Sequence, residues 1–125
     1  MTAVRYLRTM INGVPVVAAP AEIDITTAEQ LQAVLVATAG AGRPAVVVDM
    51  TRTVFCDSSG LHTLLRAHKR AMADGGEVRL VVPADGAVPR IMNLTGLNCC
   101  IRCFSSLAEA MMPTPPAAVQ HSLGR

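Results

Sequence analysis

The strongest constraint on the fold is the run at residues 45–50, A-V-V-V-D-M, in which every position before Asp49 is apolar. A strand with apolar side chains on both of its faces has to be covered on both faces, which is typical of a parallel sheet. Parallel strands need long crossover connections, and these are usually helices. The run therefore predicts an α/β domain in which strands alternate with helices.

The segment before this run supplies a hairpin and a helix. Residues 4–11 and 14–19 are alternating or apolar runs that flank Asn12-Gly13, a sequence typical of a tight hairpin turn. A capping box at T-T-A-E, residues 26–29, predicts the start of a helix. Leu31, Val34, Leu35 and Thr38 continue it at helical spacing, and Gly40 and Gly42 end it.

The segment after the run predicts a loop at residues 51–56 and then a second helix. The buried face of this helix is predicted to carry Leu61, Leu64, Leu65, His68 and Met72, and Gly75-Gly76 ends the helix. A strand at 77–82, a short helix at 87–94, a strand at 99–104 and a helix from Ser106 to residue 112 follow.

The order β-β-α-β-α-β-α-β-α predicts one small α/β domain. Its sheet should be mixed but mostly parallel, with an N-terminal antiparallel hairpin and about four helices. Residues 1–112 should form this domain, and the Pro-containing segment 113–125 is expected to be a flexible tail. The full length of 125 residues fits a single domain.

Composition and charge argue against two classes of partner. Aromatic residues make up 2% of the chain and the net charge is +2, which is too little stacking surface and too little charge for nucleic-acid binding. The longest apolar runs, such as residues 14–21, are too short to span a membrane. The first residues, M-T-A-V-R-Y-L-R, lack the apolar core of a secretory signal, so the expected compartment is the cytoplasm.

The sequence contains no set of residues that predicts an enzyme, a metal site or a cofactor. Neither H-E-x-x-H, nor G-x-S-x-G, nor a nucleotide-binding glycine loop is present. His62 is predicted to be exposed, His68 to be a satisfied buried histidine, and His121 to lie in the tail. Cys56 stands alone, whereas Cys99, Cys100 and Cys103 cluster in the predicted strand at 99–104. Without a second C-x-x-C pair, these cysteines are better explained as small apolar core residues than as zinc ligands.

The segment F-C-D-S-S-G-L at residues 55–61 is the candidate functional site. Asp57 or Ser58 can cap the following helix by accepting backbone N–H bonds, and this explanation is sufficient for the segment taken alone. The same position makes Ser58 or Ser59 a candidate switch, because a phosphate there adds about −1.5 to −2 charge beside the positive end of a helix dipole. Arg66, Lys69 and Arg70 form a basic stripe, which indicates a solvated face or contact with an acidic partner.

Several strings together carry a resemblance to a known family. V-V-V-D-M followed by F-C-D-S-S-G-L, the earlier A-E-I-D-I-T-T-A-E, and the later G-G-E-V-R-L-V and V-P-R-I-M-N-L-T-G-L resemble the STAS domain. Within that family, the chain resembles the bacterial anti-sigma-factor antagonists of partner-switching systems. The resemblance covers residues 4–112 and is carried by the order of elements as well as by these strings.

The resemblance implies a cycle of binding and phosphorylation. The unmodified antagonist would bind an anti-sigma factor that is also a serine kinase, and would thereby release a sigma factor. The kinase would phosphorylate the serine after the Asp, which is Ser58 here, and a phosphoserine phosphatase would reset the protein. The partner surface would comprise Asp24, Asp57, Ser58, Ser59, Gly60 and Leu61, and the chain itself would have no catalytic role and no cofactor.

Two other functions are compatible with the sequence. The first is that of a STAS subunit in another assembly, either in lipid transport or in stressosome-type signalling, with D-S-S-G as a plain helix cap. The second is an antagonist regulated by oxidation of Cys99, Cys100 and Cys103.

Overall fold

The computed structural model describes residues 8–39 and 45–111. The strands are β1 (Arg8–Ile11), β2 (Val14–Ala18), β3 (Glu22–Ile23), β4 (Ala45–Asp49), β5 (Phe55–Cys56), β6 (Glu77–Val81) and β7 (Arg102–Phe104). The helices are α1 (Ile25–Ala39), α2 (Ser58–Ala73), α3 (Ala87–Thr95), α4 (Leu97–Cys100) and α5 (Leu107–Ala110). The predictions for residues 4–7, for Gly40 and Gly42, for Met112, for His121 and for the segment 113–125 lie outside the described residues.

The main sheet has five strands in the order β1-β2-β4-β6-β7. β1 and β2 are antiparallel and joined by Asn12-Gly13, whose positive φ angles of 53° and 81° suit this tight turn. The other neighbours in this sheet are parallel. Val47, at the middle of β4, lies opposite Val16 on one side and Arg79 on the other. The predicted mixed α/β fold, with its antiparallel hairpin, is confirmed.

The sheet separates two apolar layers because side chains alternate between its faces. Val17, Val46, Val48, Val78 and Leu80 face the larger layer, which contains buried side chains of α1, α2, α3 and α4. The opposite face carries a smaller cluster, in which Val16, Val47 and Val81 pack with Ala110 of α5. The run at 45–50 is thus covered on both faces, as its composition predicts.

A second, two-stranded sheet pairs β3 with β5. The sequence predicts a loop at residues 51–56, and this prediction is wrong at its end. Glu22 lies opposite Phe55 and Ile23 lies opposite Cys56 in parallel register. Runs of two residues are too short to show a strand period, so only the tertiary fold reveals this pair.

The predicted strand at 99–104 is also wrong in its first half. Cys99 and Cys100 lie on α4, a one-turn helix that begins after the left-handed Gly96, and only Arg102–Phe104 form a strand. Both cysteines are exposed and are therefore not core residues, whereas Cys103 is half-buried. Ile101, which is 1% exposed, anchors the change of direction between α4 and β7.

Helix α2 buries most of the predicted face, although Leu65 is only half-buried and Met72 is exposed. Leu61, Leu64 and His68 are buried, but Met72 is 59% exposed because the small Ala71 takes the buried position of that turn. His68 is satisfied as predicted: its Nδ1 accepts the Val78 N–H at 3.1 Å. Burial lowers the pKa of His68, and this effect is opposed in part by the charge of Glu77 and by a hydrogen bond to the Cys100 backbone.

Within the described ranges, no helix is long and apolar enough to cross a membrane.

Candidate functional site

The candidate site lies where two helix N-termini leave the β3–β5 sheet side by side. Each strand of this parallel pair ends one residue before an aspartate, so Asp24 and Asp57 follow at the same end of the sheet. The backbone N–H of Asp57 donates to the carbonyl of Ile23 at 3.1 Å, which ties the two segments together. Asp24 and the D-S-S-G segment are far apart in sequence, and the structure brings them together.

Asp57 is the N-cap of α2. Its backbone is extended, with φ −93° and ψ −172°, and its Oδ1 accepts the N–H of Gly60 at 3.1 Å. Its carbonyl accepts the N–H of Leu61 at 3.0 Å, which closes the first turn. Of the two capping residues that the sequence allows, Asp57 therefore fills this role and leaves Ser58 as the first residue of the helix.

Asp24 caps α1 in a reciprocal arrangement. Its Oδ1 accepts the N–H groups of Thr26 and Thr27 at 2.9 and 3.2 Å and the Thr26 hydroxyl at 2.6 Å. Its own N–H donates to Thr27 Oγ1 at 3.0 Å. These bonds, led by that of the Thr26 hydroxyl, lower the pKa of Asp24. The capping box predicted at residues 26–29 is wrong, because Asp24 provides the cap and α1 already begins at Ile25.

Gly60 allows the first turn of α2 to lie directly on the β3–β5 sheet. A Cβ at this position would come within 2.6 Å of Ile23 Cγ2 and 2.7 Å of Cys56 Sγ, distances that side chains do not tolerate. Cys56 is itself buried, and burial, with a smaller effect of the Asp57 charge, raises the pKa of its thiol to about 12. Cys56 is thus a packing residue beneath the site.

Ser58 is exposed at the start of α2, and its hydroxyl has no hydrogen-bond partner within the described ranges. Ser59 is half-buried and turned toward α1. Gly60 and Leu61 are buried, so of these four consecutive residues only the two serines present side chains at the surface. This arrangement leaves the Ser58 hydroxyl accessible to a second protein.

Three exposed apolar side chains lie close in sequence to the two capping aspartates, and none of them was predicted as a site residue. Ile25 is 74% exposed at the start of α1, and Val54 and Phe55 are 66% and 47% exposed just before Asp57. Contiguous exposed apolar groups are typical of contact surfaces. These apolar residues could have been predicted as part of the site, because each of them lies within three positions of Asp24 or Asp57 in the sequence.

A polar cleft between α1 and α2 opens beside the serines. It has a volume of about 350 Å³ and is lined by Ile25, Ala28, Glu29, Gln32, Ser59, His62, Thr63 and Arg66. His62 and Arg66 are exposed, as the sequence predicts for both. We call this the α1–α2 cleft. No sequence pattern predicts this cleft, because its two walls come from separate helices.

The clustered cysteines are not part of this site. Cys99 and Cys100 lie on α4, whereas the site is built from β3, β5 and the N-termini of α1 and α2. Burial raises the pKa of Cys103 to about 11. Among the residues that the structure describes, no group of three or more His, Cys, Asp or Glu side chains can hold a metal ion.

The fold and the site together define a small α/β domain that presents an accessible serine at a capped helix N-terminus. The family model of the STAS domain matches residues 7–110, and the chain belongs to this family. The resemblance on which the sequence analysis relied is thereby confirmed.

Individual proteins of known name are similar to the chain over most of its length. The anti-sigma-F factor antagonist RsfB of Mycobacterium tuberculosis is 33% identical over 101 residues, which cover 80% of each chain. The crystal structure of an anti-sigma factor antagonist from Mycobacterium paratuberculosis has a TM-score of 0.77 at 28% identity and covers 93% of each chain. The phosphorylated form of the Bacillus cell fate determinant SpoIIAA has a TM-score of 0.61 at 21% identity, over 86% of this chain and 96% of that one, and shares the fold.

Proposed function

We propose that this chain is an anti-sigma-factor antagonist controlled by phosphorylation of Ser58. In its unphosphorylated state it binds an anti-sigma factor with serine kinase activity and releases a sigma factor. Phosphorylation by that partner ends binding, and a phosphoserine phosphatase restores it. The cycle takes place in the cytoplasm, and the chain is a substrate and ligand, with no catalytic group of its own.

The observation that carries this proposal is the exposure of Ser58 in the first turn of a capped helix. Asp57 holds the first turn of α2 through Gly60, so the Ser58 hydroxyl is presented from a fixed backbone. The two named mycobacterial antagonists, which are similar to nearly the whole domain, support the same function. Asp24, Asp57, Ser59, Gly60 and Leu61 complete the proposed partner surface, the last two by positioning the turn.

The physics of the site explains how a phosphate would stop binding. A phosphoserine carries about −1.5 to −2 charge and three strongly solvated oxygens. Asp57, which precedes Ser58 in the chain, carries a carboxylate, and the exposed apolar residues Ile25 and Phe55 lie within two positions of Asp24 and Asp57. A partner that buries these apolar groups would have to desolvate the phosphate as well. The free energy that this desolvation costs is far larger than the free energy gained by burying the apolar groups. The helix dipole meanwhile favours an anion at this end, so the fold itself can accept the modification.

The proposal is tested with the purified cognate anti-sigma factor, ATP and Mg²⁺. Mass spectrometry is expected to find one phosphate on Ser58, and titration calorimetry is expected to show binding only before modification. Ser58→Ala should bind without being modified, and Ser58→Asp should lose binding. Ser59→Ala is the matched control, because the neighbouring serine is turned toward α1 and its loss should leave Ser58 a substrate. Phosphate on another residue, or full binding by Ser58→Asp, would refute the proposal.

A further inference from the structure

The α1–α2 cleft lies next to the phosphorylatable turn but is not explained by the phosphorylation cycle. Ser59 belongs to both, because it follows Ser58 and lines the cleft. His62 is four residues after Ser58, which places it one helical turn, or about 6 Å, further along α2. One end of the cleft therefore lies within one turn of Ser58, and its other end, at Arg66, lies about two turns further along α2.

Hydrogen-bond donors outnumber acceptor-only groups in this cleft. Arg66 contributes a guanidinium with donors in a fixed planar fork, and Thr63 and Gln32 contribute a hydroxyl and an amide. Glu29 on the α1 wall is the one carboxylate that lines the cleft. This donor set favours an anionic oxygen ligand, for which an arginine fork is the best match among protein side chains.

The charge of Arg66 is not neutralised by the described part of the chain. The ion pairs found there join Arg70 to Asp74 and Glu77 to Arg79 and Arg102, and none of them involves Arg66. Glu29 faces the same cleft without forming an ion pair with it. A long cationic side chain that lines a concave site without a counter-ion is suited to a charge supplied from outside.

We propose that the α1–α2 cleft receives a carboxylate side chain of the anti-sigma factor, with Arg66 as its main ligand. The inference rests on the proposed function, since the partner is the one named there. It adds a second contact to the proposed partner surface, because Arg66 and Ser58 lie on the same helix, α2.

Affinity measurements with charge variants test the proposal. Arg66→Glu should weaken binding to the anti-sigma factor by about tenfold, and Arg66→Lys should be intermediate because it keeps the charge but loses the fork. Glu29→Gln should strengthen binding, since it removes the repulsive charge from the opposite wall. Arg90→Glu is the matched control: it makes the same change in net charge at an exposed position on α3 and should have little effect. Equal losses for Arg66→Glu and Arg90→Glu would overturn the proposal.

A second measurement does not need the anti-sigma factor. An acetylated and amidated peptide with a single Glu is titrated into the ¹⁵N-labelled chain, with the corresponding Gln peptide as control. The carboxylate site is supported if the amide chemical shifts of Ser59, Thr63 and Arg66 change in a saturable way with the Glu peptide and do not change with the Gln peptide. Identical responses to both peptides would refute it. If wild-type protein responds to the Glu peptide but does not bind the anti-sigma factor, the cleft stands as a carboxylate site and the proposed function fails.

Discussion

Gly60 shows how much one residue decides at this site. Alanine is favoured over glycine inside a helix by about 1 kcal/mol, so helix propensity alone predicts that Gly60→Ala stabilises the protein. The new methyl group, however, would lie 2.6 Å from Ile23 Cγ2 and 2.7 Å from Cys56 Sγ, both in buried and closely packed surroundings. Overpacking of this kind costs about 1–3 kcal/mol, which is the larger effect. We therefore expect Gly60→Ala to lower the free energy of unfolding in urea titrations.

The new methyl group of Gly60→Ala should also affect function, because it would push the first turn of α2 outward. If the first turn of α2 moves away from β3 and β5, then the Ser58 hydroxyl moves with it, and phosphorylation by the proposed partner kinase should slow. Ser59→Ala lies in the same turn but keeps the glycine, and it should be close to wild type in stability. Wild-type stability for Gly60→Ala would mean that Ile23 and Cys56 can relax, contrary to the packing described above.

At the level of single residues, the sequence predicted polar roles better than packing roles. The cap at Asp57 and the exposed Ser58 follow from local chemistry, and local chemistry is visible in a string such as D-S-S-G. The packing role of Gly60 depends on contacts with Ile23, 37 positions earlier in the numbering, and no local pattern encodes such a contact. The cap of α1 was misplaced for a related reason, since Thr26, Thr27 and Asp24 are all good capping residues and only the backbone path selects among them.

At the level of elements, Asp24 connects the stability of α1 to pH. Hydrogen bonds from Thr26 and Thr27 hold its pKa below the ordinary value of 3.8 in the folded state. A lowered pKa in the folded state means that the unfolded chain binds the proton more readily than the folded chain. The Asp24 carboxylate therefore stabilises the fold at pH values above its ordinary pKa of 3.8, and this stabilisation is lost as the pH falls through the lowered pKa. Urea unfolding should show that the free energy of unfolding falls between pH 6 and pH 2.5, and part of this fall should come from protonation of Asp24.

The variant Asp24→Asn isolates this effect. Asparagine is as good an N-cap as aspartate, so stability near neutral pH should change little, whereas the acid-dependent loss should become smaller. Glu29→Gln removes a carboxylate from the same helix at an exposed position and should leave the acid profile close to that of wild type. Parallel profiles for Asp24→Asn and wild type would show that the charge of Asp24 does not contribute.

Length and periodicity explain which elements were predictable. The strands β2, β4 and β6 and the helices α1, α2 and α3 are long enough to show a hydrophobic pattern, and each was predicted within a few residues. The pair β3–β5 and the single turn α4 are too short for any pattern, and residues 99–104 looked like one strand because Cys, Ile and Phe favour strands. The candidate site was found from D-S-S-G, but its connection to Asp24 depends on the β3–β5 pair.

At the scale of the whole molecule, the site and the far face of the sheet are held by different interactions. The site is built from β3, β5 and the N-termini of α1 and α2, which belong to the larger apolar layer. On the opposite face, α5 packs on the smaller cluster around Val47 and Val81. The division implies that stability and partner binding can be altered separately, because few residues take part in both.

Arg79 provides the test of this separation. It is 3% exposed, its Nε donates to Glu77 Oε2 at 2.8 Å, and its Nη1 donates at 2.8 Å to the carbonyl of Ala110, the last residue of α5. Arg79→Met keeps the apolar length of the side chain but leaves the Ala110 carbonyl without this donor, which should lower the free energy of unfolding by about 1–3 kcal/mol. Affinity for the anti-sigma factor, measured at a temperature where the variant is fully folded, should stay at the wild-type value.

The neighbouring Arg102 makes this prediction specific. Arg102 also pairs with Glu77, at 3.4 Å, and lies 5.4 Å from the Phe104 ring centroid, but its side chain is 34% exposed. Exposed ion pairs contribute about 0–1 kcal/mol, so Arg102→Met should destabilise the protein less than Arg79→Met does. If the two variants are equally stable, the bond from Arg79 to α5 is not what holds the far layer. If fully folded Arg79→Met also fails to bind the anti-sigma factor, then the two faces of the sheet are coupled. The site would then depend on the whole domain and not only on its own layer.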